Sequence, residues 1–250
     1  MPLRNIVVFG ATSAIAQEAL REFVKRGASV YCVGRNPDRL SAVLDDLRVR
    51  AGEHQKVAGQ SADLLDIARH SALFAAAREA LGDFDAVLIA HGTLPDQAKC
   101  EASVDRTLAA IAENATSAVS LLTIAANEFA ERGHGVIAAI SSVAGDRGRQ
   151  SNYVYGASKS LLSTFLQGLR NRLARHGVQV VTIKPGFIDT PMTAALPKDG
   201  PLWTSAARAG RAVADAMEKG RDVVYVPGYW FLIMTILRHV PERIFKHLQL

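Results

Sequence analysis

Tyr155 and Lys159 stand four residues apart, and Ser142 lies thirteen residues before the tyrosine. On a helix, two side chains with this spacing share one face, one turn apart. A free tyrosine has a pKa of about 10, and an adjacent ammonium lowers that pKa because it stabilises the phenolate. Tyr155 can then pass a proton to or from a carbonyl oxygen, while the Ser142 hydroxyl polarises that oxygen through a hydrogen bond. The three residues predict proton transfer at a carbonyl group whose carbon exchanges a hydride.

Asn114 is a polar residue among apolar neighbours in a predicted helix over residues 104–132. A buried amide requires hydrogen-bond partners, so we interpret Asn114 as a fourth member of the site. In the alternative interpretation, Asn114 binds a water within a purely structural helix. Tyr153 is a weaker candidate for the acid or base, because its fourth-next residue is Ala157 and no cation would tune its pKa.

Residues 5–16 have the pattern of a strand, a tight turn and the start of a helix, with Gly10 at the turn. The N–H groups and the dipole at such a helix start can hold a pyrophosphate. Ala14 and Ala16 occupy positions where the stricter dinucleotide-binding pattern has glycine. An ordinary strand-to-helix turn is the alternative.

Arg35 follows the second predicted strand, where a site for NAD would place a carboxylate on the ribose 2′-hydroxyl. A guanidinium at this position favours the 2′-phosphate of NADP, because it offers a bidentate fork. The alternative is a solvated cation at a helix start. Asp63 and Leu64 are expected to hold the adenine, although an isolated Asp in a loop is as often a cap of a turn or helix.

The elements that must position these residues alternate along the chain. Short β-branched runs predict buried strands at 5–9, 29–33, 84–90, 135–140, 178–183 and 222–226. Apolar residues spaced three and four apart predict helices at 15–26, 37–50, 67–81, 104–132, 155–175 and 205–219. The alternation predicts a single α/β domain over 1–250, with a doubly wound, Rossmann-type parallel sheet of about seven strands and helices on both faces.

Composition excludes several classes of protein. Charged residues make up 21% and hydrophobic residues 49% of the chain, which argues against a disordered or polytopic membrane protein. The formal net charge is +5, but the basic residues are spread over helices and do not form one stripe, so nucleic acid is not an expected partner. Cys32 and Cys100 match no zinc or disulfide pattern, and no secretory signal is recognised, so we expect a cytoplasmic protein without a metal site.

These segments together resemble the short-chain dehydrogenase/reductase family over essentially the whole chain. The resemblance is carried by residues 10–16, Asp63, Asn114, Ser142, Tyr155 with Lys159, and Pro185-Gly186 followed by Thr190. It implies a catalytic tetrad of Asn114, Ser142, Tyr155 and Lys159, in which Lys159 also binds the nicotinamide ribose. It also implies a homodimer or homotetramer. The expected contacts of the cofactor are Gly10, Thr12, Ser13, Ile15, Arg35, Asp63, Leu64, Ala90, His91, Gly92, Tyr155, Lys159, Pro185, Gly186, Ile188 and Thr190.

One segment departs from the family pattern at the fourth strand. The sequence reads Ile-Ala-His-Gly at 89–92, where the family usually has Asn-Asn-Ala-Gly, so two side-chain amides that brace the sheet are missing. His91 has no second ligand at a suitable spacing, so we expect it to contact the cofactor or the helix above it, and not a metal.

A narrower resemblance concerns the substrate. Residues 90–92, 141–149, 152–156 and 237–246 are similar to reductases that act on a polyprenylphosphoryl 2-keto-pentose in bacterial arabinan precursor synthesis. Arg147 and Arg149, between Ser142 and Tyr155, are expected near the mouth of the pocket, where they could pair with a substrate phosphate; a solvated turn is the alternative. Residues 187–204 carry prolines and little periodicity, and are expected to form a substrate flap.

The tail at 227–250 combines an apolar run with basic residues. Residues 229–237 are apolar all round, and Arg238, Arg243 and Lys246 follow them. This composition suits peripheral contact at the inner face of a membrane. A helix that closes the substrate pocket or forms a subunit interface fits the same residues equally well.

The sequence therefore predicts an NADP(H)-dependent reductase that converts a ketone to a secondary alcohol, on a small or lipid-linked carbonyl substrate. Two alternatives stay open. The first is a dinucleotide-binding sensor or scaffold that keeps the fold without turnover, and the second is a reductase of a small soluble ketone.

Overall fold

The computed structural model describes residues 2–198 and 200–248. The strands are β1 Asn5–Phe9, β2 Ser29–Gly34, β3 Val57–Ser61, β4 Ala86–Ile89, β5 Gly135–Ile140, β6 Val178–Pro185, β7 Phe187–Asp189, β8 Trp203–Ser205 and β9 Val223–Val226. The helices are α1 Ala14–Lys25, α2 Pro37–Arg50, α3 His70–Leu81, α4 Gln97–Glu101, α5 Val104–Ile111, α6 Ser117–Arg132, α7 Tyr153–Leu173, α8 Ala206–Glu218, α9 Trp230–His239 and α10 Glu242–Phe245. Asp199 of the expected flap and the last two residues of the expected tail lie outside the described residues.

Seven strands form one parallel sheet in the order β3-β2-β1-β4-β5-β6-β9. The order reverses between β1 and β4, so helices cross to opposite faces on the two sides of this point. Ligands of such sheets bind at the carboxyl ends of the strands near the reversal. The predicted doubly wound α/β fold is confirmed. Six strands of this sheet have a predicted range, and the seventh is β3, which follows α2.

Two hydrophobic clusters cover the two faces of the sheet. In β1, Ile6 and Val8 point into the cluster shared with α1, α2 and α8, whereas Val7 and Phe9 point into the cluster shared with α3, α6 and α7. Every second side chain of a strand faces the same side, so a strand that is apolar at every position is buried on both faces. This explains why the strands have continuous apolar runs in the sequence.

The predicted helix over 104–132 is interrupted. A π-helical turn at Ala112–Thr116 separates α5 from α6, and it contains Asn114. By length and composition, this stretch is the one helical segment of the described chain that could cross a membrane. Its α6 part is instead buried against the sheet through Leu121, Leu122 and Phe129.

The expected flap at 187–204 has more structure than its sequence predicts. β7 and β8 pair with each other as a small parallel ribbon, and a short 3₁₀ turn at Pro191–Thr193 lies between them. Phe187 stacks on Trp203 with ring centroids 5.2 Å apart. Aromatic packing thus orders a segment that lacks periodicity.

Candidate active site

Ser142, Tyr155 and Lys159 converge on one pocket of about 130 Å³. Ser142 follows the end of β5, and the other two residues lie in the first turns of α7. The ammonium Nζ of Lys159 is 5.7 Å from the centroid of the Tyr155 ring. The structure therefore places the three side chains together, as their spacing predicts.

Burial controls the acidity of Tyr155. Desolvation raises the pKa of its phenol to about 12, and a hydrogen bond with Ser142 opposes this rise. Burial therefore has the largest effect on the phenol of the free protein, and the lowering of its pKa that we expect from Lys159 stays a prediction. Tyr155 holds its proton in the free protein at neutral pH, and the phenolate that proton transfer would leave needs a nearby positive charge to stabilise it.

Lys159 is a buried cation with little compensation. Its Nζ donates to the backbone oxygen of Ile140 over 3.1 Å, and its side chain is almost fully enclosed. Burial lowers the pKa of Lys159 to about 8. The ammonium is retained at neutral pH, although its environment disfavours the charge.

Asn114 is buried and fully engaged. Its Oδ1 accepts from the backbone N–H of Thr93 over 3.0 Å, and its Nδ2 donates to the oxygen of Ala110 over 3.0 Å. The π-helical turn supplies the extra residue that moves this side chain towards the pocket, and such turns are frequent at functional sites. Asn114 lines the same pocket as Tyr155 and Lys159.

A buried network that sequence reasoning missed holds the loop after Ser142. Asp146 forms an ion pair with Lys184, and it accepts a hydrogen bond of 2.7 Å from the hydroxyl of Tyr225. Both charged side chains are more than nine-tenths buried. Three elements, the loop, β6 and β9, are thereby tied together beside Ser142. No sequence signal links these residues, because they are 38 and 79 positions apart.

A groove of about 500 Å³ adjoins this pocket at the carboxyl ends of β1, β2 and β4. Eleven of the expected cofactor contacts line it, namely Gly10, Thr12, Ser13, Ile15, Arg35, Asp63, Leu64, Ala90, His91, Gly92 and Thr190. The remaining ones, Tyr155, Lys159, Pro185, Gly186 and Ile188, line the pocket. Ser13 begins α1 without a side-chain cap, so the first N–H groups of this helix are open to a ligand. The groove fits a dinucleotide, with its pyrophosphate at α1.

Gly10 has a positive φ of 86°, and a Cβ at this position would lie 2.4 Å from the backbone nitrogen of His91. We expect Gly10→Ala to lower the free energy of unfolding by about 2–4 kcal/mol, because it adds both backbone strain and a clash. Gly27 is the matched control: its φ is also positive, at 93°, but nothing lies within 4 Å of its added Cβ. In urea unfolding, Gly27→Ala should lower the free energy of unfolding by only about 1 kcal/mol. Equal losses in the two variants would contradict the close approach at Gly10.

Arg35 and Arg39 both line the groove next to α2. Arg35 is two-thirds exposed and lies 3.4 Å from Glu113, a long contact that leaves its guanidinium available. Arg39 was not among the predicted residues, although its place in the first turn of the helix after Arg35 could have suggested it. The Asp63 carboxylate accepts from the N–H of Leu65 over 3.0 Å, so this residue caps a turn and lines the groove at the same time.

His91 contacts the helix above it, as expected. Its Nε2 lies 2.7 Å from the hydroxyl of Ser117, in the first turn of α6. Burial, with a smaller effect of Lys159, lowers the pKa of His91 to about 3. Its Nδ1 is buried and has no partner among the described residues. Those residues contain no cluster of three metal-ligating side chains.

The tail packs against two residues of the pocket lining, Gly186 and Phe187. Trp230 of α9 packs edge-on against Phe187, and a Cβ on Gly186 would overlap the Trp230 indole at 1.9 Å. Trp230 and Met234 are buried, whereas Phe231 is 60% exposed. One face of α9 therefore packs behind Gly186 and Phe187, which line the pocket, and the opposite face is open to solvent.

Arg147 does not line the pocket, and its expected contact with a substrate phosphate is wrong. Its guanidinium donates to Glu242 over 2.7 Å and to the backbone oxygen of Arg238 over 3.1 Å, and it lies 4.0 Å from the Phe245 ring. These tail residues are more than ninety positions away, so the loop sequence alone could not indicate them.

The chain and its fold have counterparts among known proteins. The family model of the short chain dehydrogenases matches residues 4–200. An uncharacterised oxidoreductase of Streptomyces coelicolor is 33% identical over 99% of this chain and 96% of its own, and one of Mycobacterium tuberculosis is 32% identical over 97% and 96%. The crystal structure of an actinorhodin polyketide ketoreductase with NADPH superposes with a TM-score of 0.81 at 25% identity, covering 91% of this chain and 97% of the other. This chain belongs to the short-chain dehydrogenase family of oxidoreductases, which act on CH–OH and C=O groups.

Proposed function

We propose that the protein is an NADP(H)-dependent reductase that converts a ketone to a secondary alcohol. One observation carries this proposal: Asn114, Ser142, Tyr155 and Lys159 line a single pocket that opens onto the dinucleotide groove. A ketone in this pocket would meet a proton donor, a hydrogen-bond donor and a buried cation at its oxygen. The ketoreductase with NADPH supports the same reaction type by its likeness.

The residues have distinct tasks in this reaction. A bound nicotinamide dinucleotide supplies the hydride for the carbonyl carbon. Ser142 donates a hydrogen bond to the carbonyl oxygen, and Tyr155 delivers the proton that turns this oxygen into a hydroxyl. Lys159 stabilises the phenolate that remains on Tyr155, and its ammonium can also bind the nicotinamide ribose. Asn114 holds the loop of Thr93 at the pocket through its hydrogen bond.

The protonated state of Tyr155 in the free protein suits the role of proton donor in this proposal. Because burial raises its pKa to about 12, the residue holds its proton in the free protein at neutral pH. Reduction of a ketone consumes a proton at this position, whereas oxidation of an alcohol requires a phenolate.

Arg35 and Arg39 support a preference for NADP(H). A ribose 2′-phosphate is a dianion, and the two guanidinium groups line the groove beside α2. We expect Arg35→Asp to lower the ratio of kcat/KM with NADPH to kcat/KM with NADH by roughly 10- to 100-fold, because an attraction becomes a repulsion.

The control for this change is Arg106→Asp, which makes the same charge change at an exposed arginine away from the groove. Initial rates with both cofactors should be unaffected in this variant. A cofactor ratio that is unchanged in Arg35→Asp would remove Arg35 from the proposal.

The finer part of the proposal concerns a lipid-linked substrate, a polyprenylphosphoryl keto-sugar reduced at the inner face of the membrane in the cytoplasm. The solvent face of α9 supports it, because Phe231, Leu232 and Ile236 are exposed there beside Arg238. The proposal also includes a homodimer or homotetramer. It is supported by apolar side chains exposed on α5 and α7, which are Val104, Leu108 and Leu161.

A coupled assay tests the substrate. NADPH oxidation should be measured with a polyprenylphosphoryl 2-keto-sugar and with simple ketones, with and without vesicles. Turnover of the lipid-linked ketone that rises with vesicles is the expected result. Turnover of soluble ketones alone would favour the small-ketone alternative, and tight NADPH binding without any turnover would favour a sensor or scaffold.

A further inference from the structure

Arg149 is a partly buried cation without a partner. Its Nε is buried and has no hydrogen-bond acceptor among the described residues, and burial lowers the pKa of its guanidinium. Arg147, two residues earlier, shows the contrast, because it is paired with Glu242 and covered by Phe245. A desolvated charge without a partner is unfavourable unless a ligand provides the counter-charge.

Asn152 shows a second unsatisfied group at the same place. It occupies the position that caps α7, where an asparagine side chain normally accepts an N–H of the first turn. Here the side chain makes no capping bond, and its Oδ1 is buried without a donor among residues 2–198 and 200–248. Because the Oδ1 of Asn152 makes no capping bond, it can accept a hydrogen bond from a hydroxyl or N–H group of a ligand.

Arg149 and Asn152 both line the pocket of Tyr155, and neither lines the dinucleotide groove. The pocket's lining contains Arg149 and Lys159 as cations and, within the described chain, no Asp or Glu. Its other lining side chains include the apolar Leu94, Val143 and Phe187. Lys159 is also an expected contact of the cofactor, so Arg149 is the positive charge of this lining that neither the described residues nor the expected cofactor contacts balance.

We propose that Arg149 and Asn152 form a recognition site for an anionic, hydroxylated ketone, in which Arg149 binds a carboxylate or phosphate and Asn152 accepts from a hydroxyl. This inference rests on the proposed function, because it assigns the substrate class of the same pocket. A guanidinium can bind a carboxylate or a phosphate through two parallel hydrogen bonds. Both kinds of substrate would therefore carry a pair of negatively charged oxygens at a distance from the reacting carbonyl group.

Binding to a dead-end complex tests the site without turnover. The protein is saturated with NADP⁺, which cannot reduce a ketone, and is titrated in a calorimeter with linear oxo acids whose carboxylate stands two to five carbons from the ketone. Each acid is paired with its neutral carboxamide, and a ketose phosphate is paired with the free ketose. At least one anionic probe should bind about 10-fold tighter than its neutral partner. The kind of probe that shows this preference, carboxylate or phosphate, identifies the anion that the site binds.

Arg149→Gln should weaken the preferred anionic probe roughly 10- to 100-fold and change the neutral partner less than about 2-fold. Arg149→Lys keeps the positive charge and should retain part of the preference for the anionic probe. It also serves as the test if Arg149→Gln does not fold. The control Arg175→Gln changes an exposed arginine that does not line the pocket, and should leave all affinities as they are. For Asn152, the variant Asn152→Ala should weaken the ketose phosphate more than the oxo acids, which lack hydroxyls.

Equal affinities within every pair, or equal losses of acid and amide in Arg149→Gln, would overturn the inference. These outcomes are independent of turnover. A protein that binds anionic ketones through Arg149 but reduces none of them with NADPH would instead contradict the proposed function alone.

Discussion

Replacing Tyr155 by phenylalanine is expected to lower kcat for ketone reduction at least about 1,000-fold, the range in which general-acid catalysis acts. Tyr155 is the acid of the pocket: Ser142 is an ordinary hydroxyl, and His91 is neutral because burial lowers its pKa to about 3. Lys159 retains a proton, but its Nζ is already bonded to the oxygen of Ile140. Arg149 is the other cation among the described residues of the lining, and an arginine does not release its proton near neutral pH.

Tyr155→Phe should slow the chemical step and leave the binding of NADPH almost unchanged. Phenylalanine keeps the ring that packs near Lys159, so the affinity for NADPH, followed by fluorescence titration, should change less than about 3-fold. Tyr153→Phe is the matched control, because Tyr153 lies half-exposed at the start of the same helix and does not line the pocket. Its kcat should be that of the unchanged protein. If Tyr155→Phe kept more than a tenth of kcat, another group would have to supply the proton.

Lys159→Met has the second largest expected effect, and it acts in opposite directions on activity and stability. We expect kcat/KM for ketone reduction to fall about 100- to 1,000-fold, because the cation that stabilises the Tyr155 phenolate is lost. The free energy of unfolding at pH 7 should rise by about 1–3 kcal/mol. Burial lowers the pKa of Lys159 from 10.5 to about 8, and a shift of this size disfavours the folded protein by about 3 kcal/mol when the lysine is charged.

The pH dependence of this gain follows from the direction of the shift. Between pH 8 and pH 10.5 the unfolded chain binds the proton of Lys159 more tightly than the folded protein does, so the stability of the unchanged protein rises with pH across this range. The advantage of Lys159→Met should therefore be largest below pH 8 and shrink above it. Denaturant unfolding at pH 7 and pH 9.5 measures both values.

Lys184→Met is the control, because Lys184 is equally buried but is paired with Asp146. Its removal leaves a buried carboxylate unpaired and should destabilise the protein by about 3–5 kcal/mol. A destabilised Lys159→Met, or a gain that does not depend on pH, would show that the charge of Lys159 carries no penalty in the folded state.

Local spacing predicted the parts of the site that depend on one helix or one strand end. Tyr155 and Lys159 share a helix face because four residues make about one turn, and Ser142 follows a strand whose apolar run is unmistakable. The alternation of strands and helices was sufficient for the parallel sheet, whose order places the ends of β1, β4 and β5 together. Gly10, Arg35 and Asp63 lie in one groove for the same reason.

Two features could not be predicted because they depend on contacts distant in the sequence. Arg147 appears available in its loop, but tail residues more than ninety positions later occupy its guanidinium. Asp146 and Lys184 have no local pattern that would mark them as a buried ion pair. A third feature is geometric: the apolar periodicity of residues 104–132 predicts one continuous helix, and it does not reveal the additional residue of the π-helical turn at Asn114.

The pKa of Tyr155 depends on its neighbours in the sequence and also on its burial in the folded protein. A cation four residues away predicts a lowered pKa, because the attraction between an ammonium and a phenolate is all that the sequence contains. The structure adds the enclosure of the pocket, which raises the pKa of Tyr155 to about 12. Burial is a property of the folded pocket, so its effect on the pKa could not be predicted from the spacing of Tyr155 and Lys159.

The central claim, a hydride transfer to a ketone with Tyr155 as proton donor, is tested most directly by isotope transfer. NADPH that carries deuterium at its transferable position is incubated with the protein and a panel of neutral, anionic and lipid-linked ketones, and the alcohols are analysed by mass spectrometry. We expect a secondary alcohol with one deuterium on its carbinol carbon, formed by the unchanged protein and at least about 1,000-fold more slowly by Tyr155→Phe. A protein that binds NADPH but yields no deuterated alcohol from any ketone, or equal yields from both proteins, would contradict it.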